Sequence, residues 1–224
     1  MISLSELDFN EALRYMGCQN GKADNHTLAL LKECEKLVIS QSTPRYCYKS
    51  FDINETELGI EVVGTNIVLE GNDIKNHLKN CFGVVIMCAT LSGGIDMLIR
   101  KTQLEDMSKA VVVNSLASVA IEQVCNKVEE EIYTSIPHCY KTFRYSPGYG
   151  DLPITLQKDI LNILDAPRKT GLCVNQSFML TPIKSVTAII GLSHTEITAK
   201  SRGCLGCNLK NTCQYRKVGN RCVQ

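Results

Sequence analysis

The amino-acid sequence predicts an α+β fold, with a long helix packed on a mixed sheet. Three observations predict it. Segments of helical period and segments of strand period follow one another irregularly, without the strand–helix alternation of a doubly wound sheet. Val84 to Ala89 is a continuous apolar run of strand length, the pattern of a strand buried on both faces. From Glu105 to Tyr133, the positions Met107, Val111, Asn114, Ser118, Ile121, Cys125, Val128 and Ile132 alternate steps of four and three, one stripe on a long helix.

The remaining elements follow in chain order. Asp8 and Glu11 have capping-box spacing, Leu13 and Met16 follow, and Gly17 can end that first helix. A second helix is predicted from near Thr27 to Ser40, with Leu28, Leu31, Cys34 and Val38 on one face, and Thr43-Pro44 stops it. Tyr46 to Ile53 and Gly59 to Leu69 are β-branched or aromatic runs broken by Asn, Gly and Glu, and read as strands. Gly71-Asn72-Asp73 opens a short helix carrying Ile74, Leu78 and Cys81. After Pro137 come a strand-like KTFRY, a loop from Ser146 to Pro153, a helix around Leu156 to Leu164, and strand candidates at Ser177 to Leu180 and Ser185 to Leu192. Asn114 and Ser118 are polar members of the long helix's stripe. They fit packing through small side chains, or a notch that looks with Glu122 into a ligand pocket.

Composition sets bounds. The 224 residues suit one domain with a small appendage, divided as 1–200 and 201–224 where a polar, Gly- and Cys-rich tail begins. With 24 basic against 23 acidic residues, there is no electrostatic reason to expect a nucleic acid or an anionic membrane as partner. The first residues lack a basic segment followed by an apolar one, so they do not read as a signal peptide. The longest apolar run, Gly83 to Leu91, is about half of a membrane span. A cytoplasmic protein is expected, and its 12 cysteines are then read in a reducing compartment.

Residues 144–153 read R-Y-S-P-G-Y-G-D-L-P. Pro147 fixes one dihedral and Gly148 admits positive φ, so a tight turn is specified locally. The turn exposes backbone polar groups beside Arg144, a planar fork suited to a carboxylate, and Tyr149, a flat ring with a polar tip. These groups suit an amino-acid-like ligand with an adjoining ring.

The pattern Arg144-x-x-x-Gly148-Tyr149, with Pro153 shortly after, resembles the S-adenosylmethionine-binding motif of the activation domain of cobalamin-dependent methionine synthase. Ile163-Leu164-Asp165, Thr170-Gly171, Ser177-Phe178-Met179, Pro182, Ser185-Val186 and Ser193-His194 continue the resemblance in order. Upstream, the helix bearing Ala117, Ala120 and Glu122 is similar to one of the family's helices. The resemblance spans about residues 50 to 195 and implies the family's α+β activation-domain fold. It further implies that Arg144 binds the methionyl carboxylate, that Ser146, Pro147 and Gly148 contact the ligand, that Tyr149 faces the corrinoid, and that Glu122 meets the amino group.

The implied role is reductive reactivation of a methyltransferase by a separate chain, with cobalamin supplied on a partner protein and an electron from a donor. Such a domain orients a sulfonium methyl and supplies no acid, base or nucleophile. Two departures stand out. Gly150-Asp151-Leu152 replaces the family's usual Pro-Ala-Cys, which predicts a carboxylate near the sulfonium. Thr195-Glu196-Ile197-Thr198 replaces aromatic residues after Ser193-His194. Asp24-Asn25-His26-Thr27-Leu28-Ala29 nearly spells a corrinoid-binding signature, but it has Ala where Gly belongs and opens a helix, so His26 reads as a surface residue of a capping turn.

Cys204, Cys207, Cys213 and Cys222 give C-x2-C-x5-C-x8-C in a segment too polar to build a core. Metal coordination is expected, as Zn in a four-thiolate site or an iron–sulfur cluster, with free thiols as the alternative. A redox or docking protein that acts through this tail, without S-adenosylmethionine chemistry, is the competing function. Among the isolated cysteines, Cys88, Cys125 and Cys173 read as core residues. His77, His138 and His194 have no mutual spacing that suggests a site. Ser92-Gly93-Gly94 reads as a turn before a helix.

Overall fold

A computed structural model of the chain describes residues 2–18 and 23–197. The chain divides into two compact units. One gathers Met1–Lys49, Ile86–Pro137 and Thr155–Ala188, and the other Ser50–Val85, His138–Ile154 and the chain from Ile189 onward.

The first unit is mostly helical. Helices α1 (Phe9–Tyr15), α2 (Asn25–Gln41) and α4 (Gly93–Glu105) pack on α5 (Met107–Ser135), while α6 (Leu156–Leu164) packs on α7 (Ala166–Thr170). Aspartates set the starts. Asp8 accepts from the amides of Asn10 and Glu11, Asp24 from Thr27, and Asp106 from Ser108 and Lys109. Each satisfies amides that have no partner inside the helix. Glu11 does not complete a capping box, because its carboxylate pairs with Arg14 at 2.6 Å.

The second helix buries Leu31, Cys34 and Val38, with Leu28 at its exposed margin. His26 is exposed in its first turn. The long helix expected from Glu105 to Tyr133 is α5, and α4 precedes it, the two meeting at Asp106. The predicted stripe holds only along its later part. Ile121, Cys125, Val128 and Ile132 are buried, whereas Met107, Val111 and Asn114 are exposed. Through the middle of α5, Val112, Val113, Leu116, Ala117, Val119, Ala120 and Val124 bury the other faces as well. A helix buried on several faces has no single apolar stripe.

The second unit holds β2 (Ile60–Val62), β3 (Val68–Leu69), α3 (Asn72–His77) and β5 (Tyr140–Lys141). Strands β1 (Arg45–Glu55), β4 (Cys81–Thr90) and β8 (Ser185–Ser193) each begin in one unit and end in the other. The sheet order is β3-β2-β1-β4-β8-β5, and β6 (Cys173–Val174) pairs with β7 (Leu180–Thr181) as a separate ribbon. The pairings β1–β2, β2–β3, β5–β8 and β6–β7 are antiparallel.

Gly83 to Thr90 is buried without interruption, as the apolar run required. Gly59 to Leu69 folds back on itself as β2 and β3. Cys81 opens β4 and is not on α3. Residues 177–179 form the turn between β6 and β7, where the Asn175 side chain accepts from the amides of Ser177 and Met179. Cys88 and Cys125 are buried, but Cys173 is exposed on the two-stranded ribbon. Among the described residues, no helix is long and apolar enough to cross a membrane.

Candidate functional site

The chain from β5 to α6 runs through residues 142–155, the segment singled out by its Pro-Gly turn. KTFRY is not one strand. Thr142 is tied to Gly191 by two hydrogen bonds, from its own amide to the Gly191 carbonyl at 3.0 Å and from the Gly191 amide to the Thr142 hydroxyl at 2.7 Å. Tyr145 exchanges two backbone bonds with Ile189 at 2.8 and 2.9 Å. Between these ties lie Phe143 and Arg144. The Phe143 carbonyl turns to the ring nitrogen Nε2 of His77 at 3.0 Å. The His77 ring, itself buried, lies 4.5 Å from the ring of Phe143 and 4.9 Å from that of Tyr145. Nothing in the spacing of the histidines marked this support, which joins positions 66 residues apart.

Half-buried Arg144 is therefore held on both sides. The turn follows. Tyr149 donates to the Ser146 carbonyl at 3.1 Å, Gly148 to that of Leu152 at 2.9 Å, and Leu152 to that of Tyr149 at 3.0 Å. Pro147 and Leu152 are buried and anchor the turn, while Gly148 and Tyr149 face solvent, the tyrosine 69% exposed. Gly148 has φ +89 and Gly150 has φ +54. At Gly150 a Cβ would run into the Asp73 carboxylate and the Tyr145 hydroxyl, so only glycine fits there. The Tyr145 hydroxyl donates to the Tyr149 carbonyl at 3.3 Å. Burial first, then the carboxylates of Asp73 and Asp151, push the Tyr145 hydroxyl up to about 12.

The Asp151 carboxylate, in the same loop, caps a helix. It accepts from the amides of Asn72 at 2.6 Å and Asp73 at 3.1 Å, at the start of α3. That helix has no side-chain cap from its own N-cap residue, Gly71. Asp151 supplies the missing acceptor.

Glu122 is exposed on α5 in the first unit, where its charge adds to burial in raising the Tyr15 hydroxyl. The notch at Asn114 and Ser118 holds a protein cation. Lys184 Nζ donates to the Ser118 hydroxyl at 2.8 Å, and that hydroxyl donates to the Asn114 carbonyl at 3.1 Å. Burial pulls the Lys184 ammonium down, partly offset by Asp96. An apolar cleft of about 230 Å³ lies between Ile2, Leu4, Ile39 and Pro44 and includes none of the predicted ligand residues. Cys204, Cys207, Cys213 and Cys222 lie outside the described residues. Among the described residues, no cluster of His, Cys, Asp and Glu is arranged to hold a metal.

A family model described as vitamin B12 dependent methionine synthase, activation domain, matches residues 99–201. No curated protein matches the chain. The fold is similar to the crystal structure of the MetH reactivation domain bound to AdoHcy, with TM-score 0.68 and 16% identity over 87% of this chain and 76% of that one. At that identity the likeness speaks for the fold, and the family match speaks for the sequence. The family match includes the turn at 146–149, the α6 helix and β8. Residues 99–201, with this pinned loop inside them, are similar in sequence to the activation-domain family of vitamin B12 dependent methionine synthase.

Proposed function

We propose that the chain binds S-adenosylmethionine at the 144–149 loop and serves the reductive reactivation of a cobalamin-dependent methyltransferase carried on a partner module. The observation that carries the reading is the loop itself, in a segment matched by the activation-domain family. Arg144 is held between two backbone ties, beside an exposed glycine turn and an exposed tyrosine ring. The donor set suits the ligand. Arg144 holds the methionyl carboxylate with a charge-assisted pair. The turn at Ser146, Pro147 and Gly148 brings backbone close without covering it. Tyr149 lays an amphipathic ring on the side open to the corrinoid.

S-adenosylmethionine supplies a methyl group on a sulfonium, which needs orientation over the metal and no proton transfer from the protein. Glu122, expected to meet the amino group, belongs to the other unit, and the reading rests on the loop alone. The cobalamin and the electron come from partners.

Calorimetric titration of S-adenosylmethionine into the full chain tests this. Binding in the micromolar range is expected, and Arg144→Ala should weaken it by about 10- to 100-fold, the loss of a charge-assisted pair of roughly 1.5–3 kcal/mol. Unchanged affinity in a folded Arg144→Ala protein would defeat the reading. The tail thiols Cys204, Cys207, Cys213 and Cys222 are proposed as a Zn or iron–sulfur site. Metal analysis and an absorption spectrum of protein purified without oxygen decide between the two metals, and metal-free protein excludes both.

A further inference from the structure

Away from the loop, the fold brings two thiols together. Cys47 on β1 and Cys88 on β4 lie in neighbouring strands with their sulfurs 3.4 Å apart. Both belong to the first unit. They differ in access, since Cys88 has no exposed surface and Cys47 is half-buried. The Cys47 sulfur also lies 3.9 Å from the carbonyl of Leu164.

Charge divides the pair in the same sense as access. The hydrogen bond with Cys88 draws the Cys47 thiol down against the opposing effect of burial, and Lys169 adds to the pull while Asp165 resists it. The same hydrogen bond, with burial, pushes Cys88 up. The two effects favour thiolate character at the outer sulfur, Cys47. Other thiols of the fold are disposed differently. Burial pushes Cys34 and Cys81 each up to about 11.

We propose that Cys47 and Cys88 are an oxidisable dithiol, in which Cys47 meets a hydroperoxide and Cys88 resolves it into a disulfide linking β1 to β4. In the first step the Cys47 thiolate attacks the outer peroxide oxygen. The O–O bond breaks, the sulfur becomes a sulfenic acid, and the peroxide leaves as an alcohol, or as water if it is hydrogen peroxide. In the second step the Cys88 sulfur attacks the Cys47 sulfur. The S–O bond breaks, hydroxide leaves as water with the Cys88 proton, and the S–S bond forms. Two thiols have then lost two electrons and two protons to one hydroperoxide. The sulfurs need to close from 3.4 Å to about 2.05 Å, a shift within the reach of side-chain rotation. A low-molecular-weight thiol reverses the bond by exchange.

The test uses the full, reduced chain treated with equimolar hydrogen peroxide, quenched with an alkylating agent and mapped by peptide mass spectrometry. The expected product is a peptide pair joined through Cys47 and Cys88, two hydrogens lighter than its parts and separated by dithiothreitol, while Cys34 and Cys81 stay alkylated. In Cys88→Ser, capture of Cys47 as a dimedone adduct should rise by about tenfold over wild type, because the resolving thiol is gone. The proposal is overturned if Cys47 and Cys88 both remain alkylated at a peroxide dose that oxidises Cys34 or Cys81, or if Cys47 links to another cysteine in place of Cys88. Should Cys88→Ser fail to fold, the wild-type peptide map decides alone.

Discussion

Gly148 and Gly150 both have positive φ, yet they are held by different constraints. Next to Gly148 the nearest atom to an added Cβ is a methyl of Ile154 at 3.5 Å, an ordinary contact. Next to Gly150 stand the Asp73 carboxylate and the Tyr145 hydroxyl, both of which would have to move. Gly148→Ala is therefore expected to cost about 1 kcal/mol from backbone strain alone. Gly150→Ala should cost more than about 2 kcal/mol, because strain and collision add. Urea unfolding of the two variants checks the order, and a larger penalty at Gly148 would refute it. Asp151→Ala removes the acceptor at the start of α3 and should cost about 1 kcal/mol, with Asp151→Asn retaining part of the loss. Thermal unfolding reads this, and an unchanged midpoint would show that the cap contributes nothing. The Pro147-Gly148 turn was legible in the sequence because its hydrogen bonds close within a few residues. The part played by Asp151 was not, because its partners lie 78 and 79 residues earlier. A carboxylate in a loop carries no mark of which distant amides it will meet.

Among the elements, those with a strong local period were readable. β4 followed from an unbroken apolar run, α6 coincides with Leu156 to Leu164, and α2 follows its buried face of Leu31, Cys34 and Val38. The short pieces were not. α7, β6 and β7 hold 5, 2 and 2 residues, too few for any period to declare itself. The long helix was readable too, since α5 at Met107–Ser135 stands where Glu105 to Tyr133 was expected. Asp106 ends α4 and starts α5 at once, and its side chain accepts from Ser108 and Lys109 at 2.8 and 3.2 Å. Asp106→Ala should cost about 1 kcal/mol, and Asp106→Ser should recover most of it, since serine caps nearly as well. Equal loss in both variants, measured by chemical denaturation, would argue against a capping role. The stripe failed where α5 is buried on several faces, because a stripe can then be drawn through more than one set of apolar positions.

For the molecule as a whole, each unit carries a tyrosine that holds its proton late. Tyr46 is pushed up to about 12, chiefly by donating to Glu131, and Tyr145 to about 12, chiefly by burial. An ordinary tyrosine ionises near 10, so each hydroxyl ionises more readily in the unfolded chain. The stability they contribute is complete below pH about 10 and is lost as pH rises toward about 12. Ultraviolet titration should find Tyr46 and Tyr145 among the late-ionising groups, with unfolding accelerating in the same window. Tyr145→Phe should remove one late step, and an unchanged titration curve would refute the assignment. The bond between Asp151 and α3 also bears on transplantation. A loop carrying the family's Pro-Ala-Cys in place of Gly150-Asp151-Leu152 would import its own ligand chemistry but leave the amides of Asn72 and Asp73 without their acceptor. The loop is thus not an exchangeable cassette, and a graft that keeps the fold must bring a new start for α3 with it.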